Sequence, residues 1–291
     1  MSWRVIVIKS KSKLDYKMDY LVIRTESKVS RVHLSEISVL LIESTAVSLT
    51  AYLLSELIKK KIKVIFCDEK YNPQSELVSL YGSYDTSRKI HEQISWKTET
   101  KKIIWAEIVR AKIIGQISNL PNDSHYAAEL LSKYVSEIEA GDATNREAHA
   151  AKVYFNALFG QDFSRSDDHI INVALNYGYG IILSAFNREI VSCGYTTQLG
   201  IFHSNTFNEF NLSCDLMEPF RPFVDRVVLS EKFQKFEHEE KMKLVNVLNT
   251  IIKIDNKQQH LINAIHIYAL SIFDALREND ISKIKNPIYE L

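Results

Sequence analysis

The feature that most constrains this chain is a change of period along it. Up to about residue 70 the apolar residues come in short runs rich in Val, Ile and Leu: Trp3 to Lys9, Tyr20 to Arg24, Arg31 to Leu34, Ser38 to Ile42 and Lys63 to Cys67. Runs of that length and composition predict strands. One helical pattern interrupts them after Thr45, with Leu49, Leu53, Leu54 and Leu57 on one face and Lys59, Lys60 and Lys61 in its last turn, where the helix dipole favours cations. From Ile90 the strand pattern nearly vanishes. Helical spacing covers Ile94 to Ile117, Ser124 to Ala140, Thr144 to Phe159, Ile171 to Cys193, Leu216 to Ser230, Glu239 to Ile254 and Lys257 to Glu278. With only 8 Gly and 5 Pro in 291 residues, long helices are favoured over a turn-rich β architecture.

The reading is therefore α+β, with a small β-rich domain over residues 1–72, a linker over 73–90 around Pro73 and Gly82, and an all-α domain over 91–291 ending in a loosely held tail. Three cysteines without a CxxC pair suit a reducing cytoplasm and give no zinc pattern, and the residues after Met1 carry no secretory signature. A net charge of +0 withholds any global sign of a nucleic-acid partner, so a DNA-binding surface requires segregated charge. Lys59, Lys60, Lys61 and the arginines of the helical half are expected to form it.

Four places in the helical half carry candidate chemistry. Thr144-Asn145-Arg146-Glu147 fits a capping box, in which Glu147 serves only the helix end; Arg146 and Lys152 nearby instead allow a phosphate at the same first turn. Tyr177, Gly178, Tyr179 and Gly180 sit inside one apolar helix. Two helical glycines imply a close neighbour, and one of the tyrosines is a candidate to line a cleft with its hydroxyl toward phosphate. His203 follows Leu199-Gly200. Then Asp215 and Glu218, three apart, precede Arg221 and Arg226: carboxylates for a cation and guanidinium groups for phosphate oxygens. Oxygen ligands with one imidazole suit Mg²⁺ or Mn²⁺.

Taken together, Asn145-Arg146-Glu147-Ala148-His149-Ala150-Ala151 with Tyr154-Phe155, Asn176-Tyr177-Gly178-Tyr179, Leu199-Gly200-x-x-His203 and the run Asp215 to Asp225 resemble the CRISPR adaptation integrase, the universal first-numbered CRISPR-associated nuclease. The early Leu34-Ser35-Glu36-Ile37 and the length look most like its type II-A branch. The resemblance implies a dimerising β-rich domain and a helical catalytic domain. Its divalent metal, Mg²⁺ or Mn²⁺, would be held by Glu147, His203 and Glu218, with Asp215 as the acidic companion. Some branches have aspartate where Glu218 stands. It further implies DNA partners (the spacer precursor and the CRISPR leader-repeat) and a homodimer joined to a small ferredoxin-fold partner. An RNA-guided effector nuclease and a DNA-end-binding ring protein belong to the type II-A setting. The activity implied is metal-dependent endonuclease and strand transfer, in which a DNA 3′-hydroxyl attacks a phosphodiester at the repeat border. Arg146, Lys152, Tyr177, Tyr179 and Arg221 are the expected phosphate or DNA contacts. Two rival readings stay open: a non-catalytic DNA-binding scaffold, and an all-α metallohydrolase of a small phosphorylated substrate.

Overall fold

The computed structural model describes residues 4–69, 71, 73–80 and 83–289, so Trp3 and Gly82 fall outside the described residues. The N-terminal half builds two four-stranded sheets. Strands β1 (Arg4–Ile8), β2 (Ser12–Lys17), β3 (Tyr20–Arg24), β4 (Val29–His33), β5 (Ile37–Ile42), β6 (Val47–Leu49), β7 (Lys63–Cys67) and β8 (Pro73–Leu77) are joined in part by helix α1 (Ala51–Lys59). One sheet runs β1-β5-β7-β8, the first three parallel and β8 an antiparallel edge; the other runs β4-β3-β2-β6. Met18 and Asp19, both at positive φ, close the two-residue turn between β2 and β3.

Three differences from the sequence reading have local causes. Strand β2 escapes the pattern because Ser-Lys-Leu-Asp-Tyr-Lys buries only alternate side chains. The helix begins at Ala51, five residues later than its apolar spacing implies: Val47 to Leu49 pair in parallel with β2, and the Thr50 hydroxyl caps the Leu53 amide at 3.2 Å. The stretch expected as linker supplies β8 to the first sheet, whose residues 73–77 hydrogen-bond to β7.

The sheet holding β5 is a wall between two cores. All six residues of β5 are buried. Leu40 and Ile42 enter the core of the β-rich half, while Val39 and Leu41, with Ile65 and Cys67 of β7, join the core of the helical half. Period-two alternation sends successive side chains to opposite faces, so one strand serves both.

The second half contains α2 (Thr86–Ile94), α3 (Thr98–Ser118), α4 (His125–Ser136), α5 (Arg146–Phe159), α6 (Ile170–Ser192), α7 (Asn211–Met217), α8 (Arg221–Glu231), α9 (His238–Val245) and α10 (Leu261–Glu278). It is not all α. A hairpin, β9 (Ile251–Ile254) and β10 (Lys257–His260), turns on Asp255-Asn256, both at positive φ, where helices were expected on either side. The tail is held as well: Lys253 bridges to Ile288, and buried Tyr289 donates its hydroxyl to the Pro219 carbonyl. Helix α6 is the axis of this half, packed by α7, α8, α9 and α10. Gly178 lets α8 approach it, since a Cβ there would collide with Val224. Among the described residues no helix is long and apolar enough to cross a membrane.

Candidate active site

Helices α3, α5, α6 and α8, the loop before α7 and the turn after it bring side chains to one cleft of about 390 Å³, lined among others by Lys112, Glu147, Tyr179, His203, Glu218 and Arg221. A larger groove, about 680 Å³, lies between β8 and α6 and holds none of these groups.

Glu147 comes from the first turn of α5. The expected capping box does not form there. Instead Asp142 receives the amides of Arg146 at 2.8 Å and Glu147 at 3.0 Å, and the Thr144 hydroxyl donates to the Glu137 carbonyl. With the helix end satisfied by another carboxylate, the Glu147 side chain is free to face the cleft. There its Oε1 meets Lys112 Nζ at 2.5 Å.

Glu218 sits where α7 gives way to a short 3-10 turn, Glu218–Phe220, before α8. Pro219 and Pro222 supply no amide hydrogen, which interrupts the ladder and turns the chain there. The Glu218 carboxylate is buried, 2.5 Å from Lys112 Nζ through Oε2 and 2.8 Å from Arg221 Nε through Oε1. Burial alone pushes this carboxyl up, but Arg221 and Lys112 outweigh it and hold it well below the usual carboxylate range. Desolvation works against the charge on the buried Lys112 ammonium, and the same carboxylates, Glu218 before Glu147, outweigh it and keep the ammonium charged.

His203 is positioned by Asp215. This carboxylate is completely buried and accepts the amides of Ile201 at 2.6 Å, Phe202 at 2.9 Å and His203 at 3.2 Å, as well as His203 Nδ1 at 2.5 Å. Gly200 makes the approach possible, because a Cβ would run into Asp215 and the His203 carbonyl. Trp105 stacks flat on Phe202 at 4.4 Å and meets the His203 ring edge-on at 5.6 Å. With Nδ1 engaged, Nε2 is the nitrogen left for the cleft. The Asp215 hydrogen bond raises the imidazole pKa, burial opposes it, and Glu218 and Glu147 add to the rise.

Behind these groups lies a buried polar cluster. Tyr179 donates to Asp225 Oδ1 at 2.5 Å and Tyr154 to Oδ2 at 3.1 Å. Burial pushes the Asp225 carboxyl up to about 6 despite both hydroxyls. The Tyr179 ring carries Arg221 at 4.5 Å and Arg165 at 5.6 Å from its centre.

The structure thus gathers Glu147, His203, Glu218, Arg221 and Tyr179 at one cleft, with Asp215 directly behind His203. It does not gather the rest. Arg146 pairs with Glu137 at 3.0 Å and lies over the Tyr134 ring; Lys152 is exposed on α5 and outside the cleft lining. Tyr177 is buried against Phe236 on another part of α6. The Tyr179 hydroxyl is committed to Asp225 rather than aimed at a phosphate. Nor do the lysines of the first helix form a free basic strip, since Lys59 pairs with Glu56, Lys60 with Asp19, and Lys61 donates to the Ser192 carbonyl. Sequence reasoning passes over Lys112, Arg165 and Asp225. The visible signal for Lys112 is a lysine on the buried stripe of α3, in step with Ile108 and Gln116.

A metal finds suitable donors here: two carboxylates and an imidazole nitrogen, with the Lys112 ammonium already standing as a cation between the carboxylates. Among the described residues, no three His, Cys, Asp or Glu side chains are closed into a ready ligand group. The donor chemistry fits, and the lysine occupies the position between two of the donors.

The family model for CRISPR associated protein Cas1 matches residues 5–242. A CRISPR-associated endonuclease Cas1 of Neisseria meningitidis is 36% identical over 276 residues, spanning 94% of this chain and 86% of the relative. The chain belongs to the Cas1 family. Among solved structures, a casposase bound to integration product shares the fold with a TM-score of 0.74 at 18% identity, covering 96% of this chain and 91% of that one. A chain of a Cas6-RT-Cas1–Cas2 complex also gives 0.74 at 17% identity; it covers 99% of this chain, which spans only 36% of the other.

Proposed function

We propose that this chain is a divalent-metal-dependent DNA endonuclease and integrase of CRISPR adaptation, acting in the cytoplasm. It would insert captured DNA into a CRISPR array by attack of a 3′-hydroxyl on a phosphodiester. The observation that carries the reading is the meeting of Glu147 and Glu218 on one ammonium, in a cleft that also holds His203 and Arg221. Family membership and the integration product named for the casposase support it.

Glu147, Glu218 and Nε2 of His203 would hold Mg²⁺ or Mn²⁺, which when bound supplies Lewis-acid stabilisation of charge on the transferring phosphoryl group. Asp215 fixes the His203 ring and leaves Nε2 available. Arg221, braced on Glu218 and Tyr179, presents a guanidinium to phosphate oxygens. In strand transfer the new P–O bond forms to the incoming 3′ oxygen while the bond to the target strand's 3′ oxygen breaks. The attacking hydroxyl loses its proton and the departing oxygen gains one, so the number of phosphodiesters is unchanged. Water in place of the hydroxyl gives cleavage.

A small ferredoxin-fold protein is the proposed partner, a reading supported by the Cas1–Cas2 complex named above; a homodimer and, for a chain of the type II-A branch, an effector nuclease and ring protein would complete the assembly. The test is an integration assay with the purified partner on leader-repeat DNA, comparing Mn²⁺, Mg²⁺ and chelator. Product only with metal, and none from Glu147→Gln, is expected. Equal product in chelator, or from the variant, would overturn the reading in favour of a scaffold.

A further inference from the structure

Lys112 is a buried charge that faces two carboxylates at once. It sits in the middle of α3 and is only 8% exposed; its ammonium lies 2.5 Å from Glu147 Oε1 and 2.5 Å from Glu218 Oε2. Those two carboxylates come from α5 and from the turn after α7, elements with no covalent reason to face each other. Two carboxylates converging in a cleft without a counter-charge would repel each other and splay. The ammonium is what lets them converge.

The two facing carboxylates are paired without any metal. Glu147 meets Lys112, and Glu218 meets both Lys112 and Arg221, so each of these carboxylates already has a cationic partner. A divalent ion placed between the carboxylates would bring two more positive charges to within a few Å of an ammonium. The two cations cannot share that position. A lysine, unlike an arginine, ends in a compact charge on a flexible stem and can withdraw.

We propose that Lys112 is a built-in counter-cation: it holds Glu147 and Glu218 together before metal arrives, must leave the space between them when metal binds, and so sets the metal affinity of the site. This rests on the reading of Glu147, His203 and Glu218 as the metal-holding set. Lys112 is then a positioning residue, and the DNA phosphate entering with the metal is the natural acceptor for the displaced ammonium. The arrangement ties tight metal binding to the arrival of nucleic acid.

The experiment compares wild type, Lys112→Met and Lys112→Arg in two measurements without turnover: Mn²⁺ affinity by titration calorimetry or by the free-ion resonance signal, and melting temperature with and without Mn²⁺. Lys112→Met should bind Mn²⁺ about tenfold or more tightly than wild type. It should melt lower than wild type in chelator and recover on adding Mn²⁺, whereas Lys112→Arg should stay weak. A lysine that merely packs would never tighten metal binding when removed. Lys112→Gln is the second uncharged variant; failure of both uncharged chains to fold at any Mn²⁺ concentration overturns the proposal, because the ion should replace the ammonium. Unchanged or weaker Mn²⁺ affinity in Lys112→Met, with wild type binding normally, overturns it alone. If no variant and no wild type binds Mn²⁺, the metal-holding reading falls and this one with it.

Discussion

Asp215 and His203 stand twelve residues apart and meet at 2.5 Å, with the same carboxylate gathering the amides of residues 201, 202 and 203. One buried anion therefore shapes the loop and orients the ring that the loop delivers. Loop geometry and ring orientation cannot be altered separately.

Asp215→Asn tests that link. The amide keeps the size but replaces one accepting oxygen with a donor facing backbone N–H groups. Stability should fall by about 2–4 kcal/mol in urea denaturation. Metal affinity should fall by about 10–100-fold, the usual effect of losing a carboxylate behind a ligating histidine. Wild-type stability in the Asp215→Asn variant would show that the four contacts are not what fixes the loop.

Removing the two facing carboxylates should have unequal effects. Glu218→Gln and Glu147→Gln should each lower DNA cleavage and strand transfer by on the order of 100-fold or more. Only Glu218→Gln should also destabilise by about 3–5 kcal/mol, since it leaves Arg221 and Lys112 buried with less counter-charge, whereas Glu147 is partly exposed. Thermal melting alongside a gel assay separates the two. Equal melting temperatures for both variants would contradict the burial argument.

Stability should also depend on Asp225. Its folded carboxyl sits near 6 against an ordinary 3.8, so the folded state holds the proton more tightly than the unfolded chain. This contribution is complete below about 3.8 and is lost as pH rises through about 6, the loss reaching about 3 kcal/mol by neutral pH. Urea midpoints of wild type and Asp225→Asn, measured from about pH 4 to 8, should diverge in that window, with wild type losing ground as pH rises. A gap that does not change with pH would mean Asp225 stays ionised in the fold.

Gly200 has little freedom to change. Gly200→Ala should cost about 1–3 kcal/mol through overlap with Asp215 and the His203 carbonyl, and should lower activity through displacement of the ring. An alanine variant with unchanged stability and activity would place the His203 loop under looser control than the contacts imply.

How far the sequence can be read follows from these particulars. The change of period places the β-rich half before the helical half, and the spacing bounds α6 to within a residue at each end because its long apolar pattern defines it. Short elements escape. The hairpin at Asp255-Asn256 is masked by Leu244 to Ile254, which fits either period over so few residues. The residues alone raise His203, Asp215 and Glu218 as candidate donors for a cation, whereas Glu147 joins them only through the family motifs. Glu147 carries the spacing of a cap, and what releases it is Asp142, held at positive φ in a loop whose conformation no spacing reveals. Lys112 stays hidden because a charge in an apolar helix reads as a surface residue until its partners, 35 residues away and more, are known.

Strand β5 has a mechanical consequence. Its alternate side chains are fixed in different cores, and on one side Val39 and Leu41 lie in the same packed mass as α6, α7 and α8. A pull or twist applied to the sheet would therefore meet the helices that carry Tyr179, Asp215 and Arg221 through that shared packing. The β-rich part is thus anchored to the cleft by side chains rather than by the chain's path alone.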